Sequence, residues 1–325
     1  INFLFQNLYH FLYKISLYYN IYISVKKIFF IIDIKIIICY NKIKFKILEN
    51  KIKKETNERK LDQFYTKPEV SKLLYNNAKE LIVDFDDYVL IEPSAGNGAF
   101  SNLFTQEFIA IDIDPKCNYI KQENFLTSEI INNFLIGEKK YITIGNPPFG
   151  KNSSLAIKFF NKSAKFSDYI CFILPKTFKK DSIVNKLDLY LHKIYEIELS
   201  KDSFTFCGLN YDVPCVFQIW EKRKTMRKQL NKKLTTEYFE FSNENNADFA
   251  IRRVGGLAGK LILDFKNYKP ASHYYIKVNV NKININRLID IFINNFNQLN
   301  NISKNTSGNP SLSKTELITI IEKEI

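Results

Sequence analysis

Hydrophobic and polar positions change period repeatedly after residue 60, and each change marks an element. Val70, Leu73, Leu74, Ala78 and Leu81 recur at helical spacing, which predicts a helix over 68–82, with Thr66 as its cap and Pro68 in its first turn. The run 88–92 is short, apolar and stopped by Pro93, the pattern of a buried strand. Further strands are predicted at 108–113 (closed by Asp114-Pro115), 141–144 (closed by Gly145-Asn146-Pro147-Pro148), 169–174 (closed by Pro175), 193–199 and 215–220. Helical periodicity starts at Ala99 and returns over 155–166 and 180–192. Strands alternating with helices form a sheet covered on both faces. The expected fold class is α/β, a doubly wound, mostly parallel sheet, and such sheets bind ligands at the carboxyl ends of their strands.

Beyond this body the pattern is less regular. Residues 223–233 are basic and polar and read as a linker. Residues 249–260 (FAIRRVGGLAGK) form a small basic, glycine-rich unit, 272–280 a strand, and 287–296 an amphipathic helix, with a final helix after it. The expected organisation is a basic Ile/Asn/Lys-rich extension over 1–56 that is poorly ordered, a catalytic domain over 57–222, and a small basic C-terminal appendage over 223–325 that binds nucleic acid. The only methionine is Met226 and the chain opens on Ile1, so the first segment is expected to be a processed or fragmentary end, or non-native upstream sequence. Gln6, Asn7, His10 and Asn20 interrupt its apolar run, so no membrane anchor is expected there.

Charge sharpens this division. Residues 1–60 hold 12 Lys+Arg against 4 Asp+Glu, residues 61–222 hold 18 against 21, and residues 223–325 hold 17 against 9. A mildly acidic body is flanked by basic ends, which can attract phosphate without reading sequence. An apolar fraction of 46% excludes a wholly disordered chain. Five scattered Cys without a CxxC pair, and only three His, argue against a zinc module and a disulfide scaffold, so no metal is expected. They suit an intracellular, reducing compartment: cytoplasm, nucleoid or nucleus.

Three loops carry candidate chemistry, each at the end of a predicted strand. Glu92-Pro93-Ser94-Ala95-Gly96-Asn97-Gly98 is glycine-containing, which lets a ligand approach the main chain. It is not a phosphate loop, since no Lys-Ser/Thr follows Gly98. Asp112 and Asp114 end the second strand, where a carboxylate can accept both hydroxyls of a ribose. In Asn146-Pro147-Pro148-Phe149 two prolines stiffen the backbone and aim the Asn146 side-chain oxygen and the Pro147 carbonyl at one point. Two converging acceptors beside an aromatic face make a pocket for a planar amine.

With the motifs Asp62-Gln63-Phe64-Tyr65-Thr66-Lys67-Pro68, EPSAGNGAF, DIDP and NPPF in this order, residues 61–222 resemble a class I S-adenosylmethionine-dependent methyltransferase of Rossmann-like fold. They are most similar to adenine-N6 DNA methyltransferases. The resemblance implies S-adenosyl-L-methionine as cofactor. Tyr65 and Thr66 would hold its carboxylate, and Glu92, Ser94, Ala95, Gly96 and Gly98 would line its methionine part. Asp112 would bind the ribose and Phe125 flank the adenine. Asn124 stands where the family commonly has Asp, and would accept from the adenine amine. Asn146, Pro147, Pro148 and Phe149 would be catalytic, transferring methyl to the N6 amine of a flipped adenine.

Phe204 or Phe206 could close the other face of the base or belong to the core. Arg252, Arg253 and Lys260 could grip phosphate or be a solvated basic turn. His273 reads as structural. DNA is expected ahead of RNA as the nucleic-acid partner. Glutamine-N5 methylation of a protein and a non-enzymatic nucleic-acid-binding relic remain the competing readings.

Overall fold

Strands that are apolar on both faces build the centre of the fold, in a computed structural model that describes residue 14 and residues 64–129, 131, 139–206, 208–229, 233–306 and 308–325. The extension over 1–56, apart from residue 14, and the motif residues Asp62 and Gln63 lie outside the described residues. The described chain begins with β1 (Tyr65–Thr66) and α1 (Pro68–Leu81). Next come β2 (Val89–Glu92), β3 (Phe108–Asp112), β4 (Lys121–Gln122) and β5 (Tyr141–Gly145). Then follow α2 (Ser154–Ser163), β6 (Tyr169–Pro175), α3 (Asp181–Val184) and β7 (Leu191–Glu198). A hairpin of β8 (Phe204–Phe206) and β9 (Leu209–Tyr211) precedes β10 (Cys215–Lys222).

The seven-stranded sheet has the order β4-β3-β2-β5-β6-β10-β7. Its pairs from β4 to β6 are parallel, and β10 is inserted antiparallel between β6 and β7. This is a doubly wound, mostly parallel Rossmann-like sheet with one reversed strand. Period-2 alternation divides each strand between two cores. Val89, Ile91, Ile170, Phe172 and Leu174 face α2 through Ala156, Phe159 and Phe160. Leu90, Ile142, Ile144, Cys171 and Ile173 face α1 through Leu74, Tyr75 and Ala78. A strand buried on both faces reads as one unbroken apolar run, which is why these strands stand out in the sequence.

The helix expected over 180–192 is cut to α3, and β7 already begins at Leu191. The physical reason is Arg227. Its Nη2 donates to the carbonyls of Val184 and Leu187 at 2.6 and 2.9 Å, and its Nε to that of Leu191 at 3.2 Å. Asn161 Oδ1 accepts from the Asp188 amide, and Asp188 Oδ1 from the Tyr190 amide. The main-chain groups that would extend the helix are thus taken by side chains. Residues 223–233 are correspondingly no free linker at their start, since the Arg227 guanidinium also sits 5.9 Å from the Trp220 ring centre.

The C-terminal part is more than a small appendage. It holds β11 (Phe239–Ser242), β12 (Phe249–Arg252), β13 (Leu261–Ile262) and β14 (His273–Val278) in an antiparallel sheet of order β11-β14-β12-β13. The helices α4 (Ile285–Asn294), α5 (Phe296–Ser303) and α6 (Lys314–Ile321) follow. They bury Leu288, Phe292, Leu299 and Leu317 against Phe249, Ile251 and Ile276 of the sheet, giving this part its own core. Asn284 caps α4, and Ser313 with Glu316 forms a capping box on α6. Lys180 Nζ joins this part to the one that holds the seven-stranded sheet, donating to the Ser311 carbonyl at 2.9 Å and pairing with Glu316 at 3.3 Å. Residues Leu61–Ile325 make up one compact unit. No helix among the described residues is long and apolar enough to cross a membrane.

Arg227→Met keeps an apolar stem and deletes three bonds to carbonyls. It should cost about 2–3 kcal/mol, the scale of hydrogen bonds made by a charged group. For a unit of this size that is a Tm drop of roughly 5–10 °C by calorimetry. An unchanged Tm would show that the turn after α3 holds without the guanidinium.

Candidate active site

Because β3, β2 and β5 are neighbours in the sheet, the loops leaving Asp112, Glu92 and Gly145 lie side by side at its carboxyl edge. Main-chain bonds lock the first two together. Asp112 Oδ2 accepts from the Gly96 amide and Oδ1 from the Asp114 amide, both at 2.7 Å, and the Ala95 amide donates to the Ile111 carbonyl at 3.0 Å. A carboxylate has about four acceptor sites, so Asp112 retains capacity for two hydroxyls. Ile113 beside it is 52% exposed, an apolar platform that the sequence reading passed over. Its only signal was its place directly after the strand-ending acid.

Two aromatic side chains press on the glycine loop. Gly96 (φ +52°) has the Tyr65 ring 3.1 Å from where a Cβ would stand, and at Gly98 (φ +80°) a Cβ would run into the Tyr119 hydroxyl. Tyr119 donates to Asn102 Oδ1 at 2.6 Å and contacts Ser101 Oγ at 3.1 Å, so this wall is itself held. Tyr119 carried no sequence signal.

Glu92 does not line the cleft as expected. Its side chain is buried, and its two oxygens accept from the Ser101 amide at 2.7 Å and the Phe100 amide at 3.4 Å. It shapes the loop from behind. Burial pushes its carboxyl up to about 8, with the Ser101 and Phe100 donors pulling the other way.

The third loop is fastened to both neighbours. Ser94 Oγ donates to the Asn146 carbonyl at 2.9 Å. Asn146 Nδ2 donates to the Phe64 carbonyl at 3.0 Å and to Thr66 Oγ1 at 3.3 Å. A carbonyl only accepts, so the amide nitrogen must face Phe64, and the opposite end of the carboxamide is the oxygen. Asn146 Oδ1 is buried without a hydrogen-bond partner, an atom that calls for an explanation. Nothing among the described residues donates to the neighbouring Pro147 carbonyl. Phe149 is half-buried, packs against both cores, and accepts through its carbonyl from the Leu155 and Ala156 amides.

Other expected residues are placed differently. Thr66 does not cap α1, whose N-cap is Lys67; it pairs with Phe204 across β1 and β8. Phe125 is withdrawn into the core beside Phe159, under the Lys162 ammonium, so it offers no face to an adenine. Asn124 uses its amide oxygen to accept from the Leu126 amide at 3.0 Å and caps a short turn. Phe204 is 1% exposed and belongs to the core, so it cannot close over a base. Phe206 is also buried, against Phe64 and Tyr211. On the β8–β9 hairpin the aromatic that reaches solvent is Tyr211, 42% exposed and stacked on Phe64 at 5.1 Å, with Leu209 beside it at 68%. Arg252 Nε is engaged by the Val254 carbonyl and the Arg253 guanidinium lies 4.9 Å from the Tyr274 ring centre, leaving Lys260 the exposed cation of the three. No group of three His, Cys, Asp or Glu among the described residues is arranged to hold a metal ion.

Neither the protein-family models nor the curated proteins yield a match to this chain. Solved structures do. A protein from Pyrococcus horikoshii, provisionally described as an RNA methyltransferase, is 18% identical with a TM-score of 0.38, covering 50% of this chain and 88% of that one. A protein from Listeria monocytogenes, provisionally described as a class I S-adenosylmethionine-dependent methyltransferase, is 13% identical with a TM-score of 0.37, covering 52% and 64%. A provisionally described methyltransferase from Streptococcus mutans in complex with SAH is 15% identical with a TM-score of 0.30, covering 47% and 94%. Likeness at this level decides nothing about activity, and the fold class rests on the strand order and directions given above.

Glu92 yields a pH test. Between its ordinary value of 4.5 and about 8, the folded protein holds a proton that the unfolded chain has released. Stability must then fall as pH rises through that window. Glu92→Gln keeps an acceptor and cannot ionise, so its Tm should decline less from pH 5 to pH 8 than that of the wild type, a window set by the shift from 4.5 to about 8. Parallel melting curves would mean that the carboxyl stays ionised in place.

Proposed function

We propose that the protein transfers a methyl group from S-adenosyl-L-methionine to the exocyclic N6 amine of adenine in DNA. The observation that carries this reading is the Asn146 carboxamide. Both of its amide hydrogens are bound to β1 and its neighbour Phe64, and its buried oxygen is left as an open acceptor beside the Pro147 carbonyl. An exocyclic amine is the donor such a pair fits.

The residues present suit the cofactor. Asp112 keeps acceptor capacity for the ribose hydroxyls and Ile113 offers an apolar face beside it, while Tyr65 and Tyr119 wall the loop of Ala95, Gly96 and Gly98. The cofactor supplies an electrophilic methyl on a sulfonium sulfur. The chain does the rest by positioning and electrostatics. Asn146 Oδ1 and the Pro147 carbonyl each accept a hydrogen from N6. That turns the nitrogen lone pair out of conjugation with the ring and would orient it for in-line attack, the N–C bond forming as the methyl–sulfur bond breaks and a neutral thioether leaves. The same oxygens stabilise the positive charge that grows on the nitrogen until one N6 proton is released to solvent. Pro148 keeps the corner stiff. Phe149 stacks on the base and offsets part of the cost of leaving the duplex, about 1–3 kcal/mol. Tyr211 takes the second aromatic role expected of Phe204 or Phe206. The C-terminal part, with 17 Lys+Arg against 9 Asp+Glu, attracts the backbone, with the exposed Lys260 at the end of its glycine-rich turn.

The test is transfer of radiolabelled methyl to DNA, RNA and protein in parallel, followed by digestion to identify the methylated unit. N6-methyladenine from DNA is expected, and label in RNA adenine or in glutamine would move the reading to that substrate. Asn146→Ala should lower kcat by at least about 100-fold, the scale of one preorganised charge-stabilising group. Its cofactor affinity by calorimetry should stay near that of the wild type. Wild-type turnover in this variant would refute the mechanism.

A further inference from the structure

Three consecutive residues at the start of the described fold touch three parts of the candidate site. The Phe64 ring stacks on Tyr211 of the β8–β9 hairpin, the Tyr65 ring lies on Gly96 of the glycine loop, and Thr66 Oγ1 takes one amide hydrogen of Asn146. The resemblance assigns this stretch to the cofactor alone. We infer that Thr66 is a positioning residue for the transfer step: its hydroxyl oxygen holds the Asn146 carboxamide in the plane that presents Oδ1 to the target amine. The inference rests on the proposed transfer to an exocyclic amine.

The physical case runs through the freedom of a carboxamide. The terminal torsion of Asn is broad, so one hydrogen bond leaves the amide plane able to swing. The Phe64 carbonyl at 3.0 Å supplies the first restraint and Thr66 Oγ1 at 3.3 Å the second, and together they saturate the nitrogen. Neither restraint is itself loose. Thr66 is 4% exposed, its β-branched side chain is stiff, and its main chain is paired with Phe204 of β8. The hairpin that carries the exposed Tyr211 and Leu209 therefore sets where β1 stands, and β1 sets where the acceptor points. Valine in place of Thr66 keeps the shape and removes the acceptor, stranding one amide hydrogen of Asn146, whereas serine keeps the oxygen.

Thr66→Val and Thr66→Ser are compared with the wild type by methyl transfer at saturating S-adenosylmethionine, by cofactor titration calorimetry, and by the side-chain amide NMR signals of Asn146, assigned through their loss in Asn146→Ala. Thr66→Val should lower kcat by about 10- to 100-fold, the cost of a small misplacement, with cofactor Kd within about threefold of wild type. Thr66→Ser should recover most of that loss. In the wild type both amide protons of Asn146 should exchange slowly with water, and Thr66→Val should accelerate and shift one of them. Wild-type kcat in Thr66→Val, or a defect confined to cofactor Kd, overturns the inference and leaves Thr66 a cofactor contact. A wild-type protein that methylates no nucleic acid overturns the proposed function instead. The amide signals then still decide the positioning: fast-exchanging Asn146 protons refute it, and a slow pair perturbed by valine upholds it.

Discussion

A carboxamide carries two donors on one end and one acceptor on the other, and a neighbour that can only accept decides which end it meets. At Asn146 that neighbour is the Phe64 carbonyl, backed by Thr66 Oγ1. Much of the candidate site is arranged around this contact. It holds the corner after β5 against the strand that precedes α1, while Ser94 holds the same corner against the loop after β2. Three loops from distant parts of the chain are thereby joined at one residue. The buried unpartnered oxygen is the cost of that arrangement, since an unsatisfied acceptor inside a protein is worth about 1–3 kcal/mol of lost stability. Any ligand N–H or O–H donor that reached it would relieve it.

The neighbouring glycine loop is built on the same logic of backbone groups met by fixed side chains. Asp112 binds the amides of Gly96 and Asp114 at the end of β3, and Glu92 binds those of Ser101 and Phe100 at the end of β2. Two acids at the ends of adjacent strands therefore do different work. Glu92 is fully enclosed and its carboxyl is pushed up to about 8. Asp112 sits at the edge with acceptor capacity to spare. Their difference lies in burial, which their similar positions after apolar runs do not reveal.

The C-terminal part connects charge to architecture. Its basic residues are not an unstructured arm, because the sheet β11-β14-β12-β13 and three helices enclose a core of their own. The glycine-rich turn after β12 is tied down: Asn300 Nδ2 donates to the carbonyls of Gly256 and Ala258, and the Gly255 amide donates to the Pro310 carbonyl. The next residue of that connection, Ser311, accepts from Lys180, which follows the carboxyl end of β6. The basic turn is thus linked through Pro310 and Ser311 to Lys180, five residues beyond β6.

Much of the seven-stranded sheet and its helices was legible from local pattern, for a physical reason. Strands buried on both faces must be apolar throughout, helices between them must be apolar on one side, and prolines must stop the sheet, so 88–92, 141–144 and 169–174 announce themselves in one dimension. The loops at their ends were visible for the same reason. What local pattern could not decide were choices settled by distant partners. The reversed β10 between β6 and β7 and the hairpin over β1 are pairings with no local signature. The helix over 180–192 was lost to a guanidinium that arrives from residue 227. Phe125 and Phe204 look like ligand-facing aromatics in sequence and are core in space. The orientation of Asn146 is set by atoms 82 and 80 positions earlier in the chain, so the residue was evident from its motif and the direction in which its oxygen points was a matter for the tertiary structure alone.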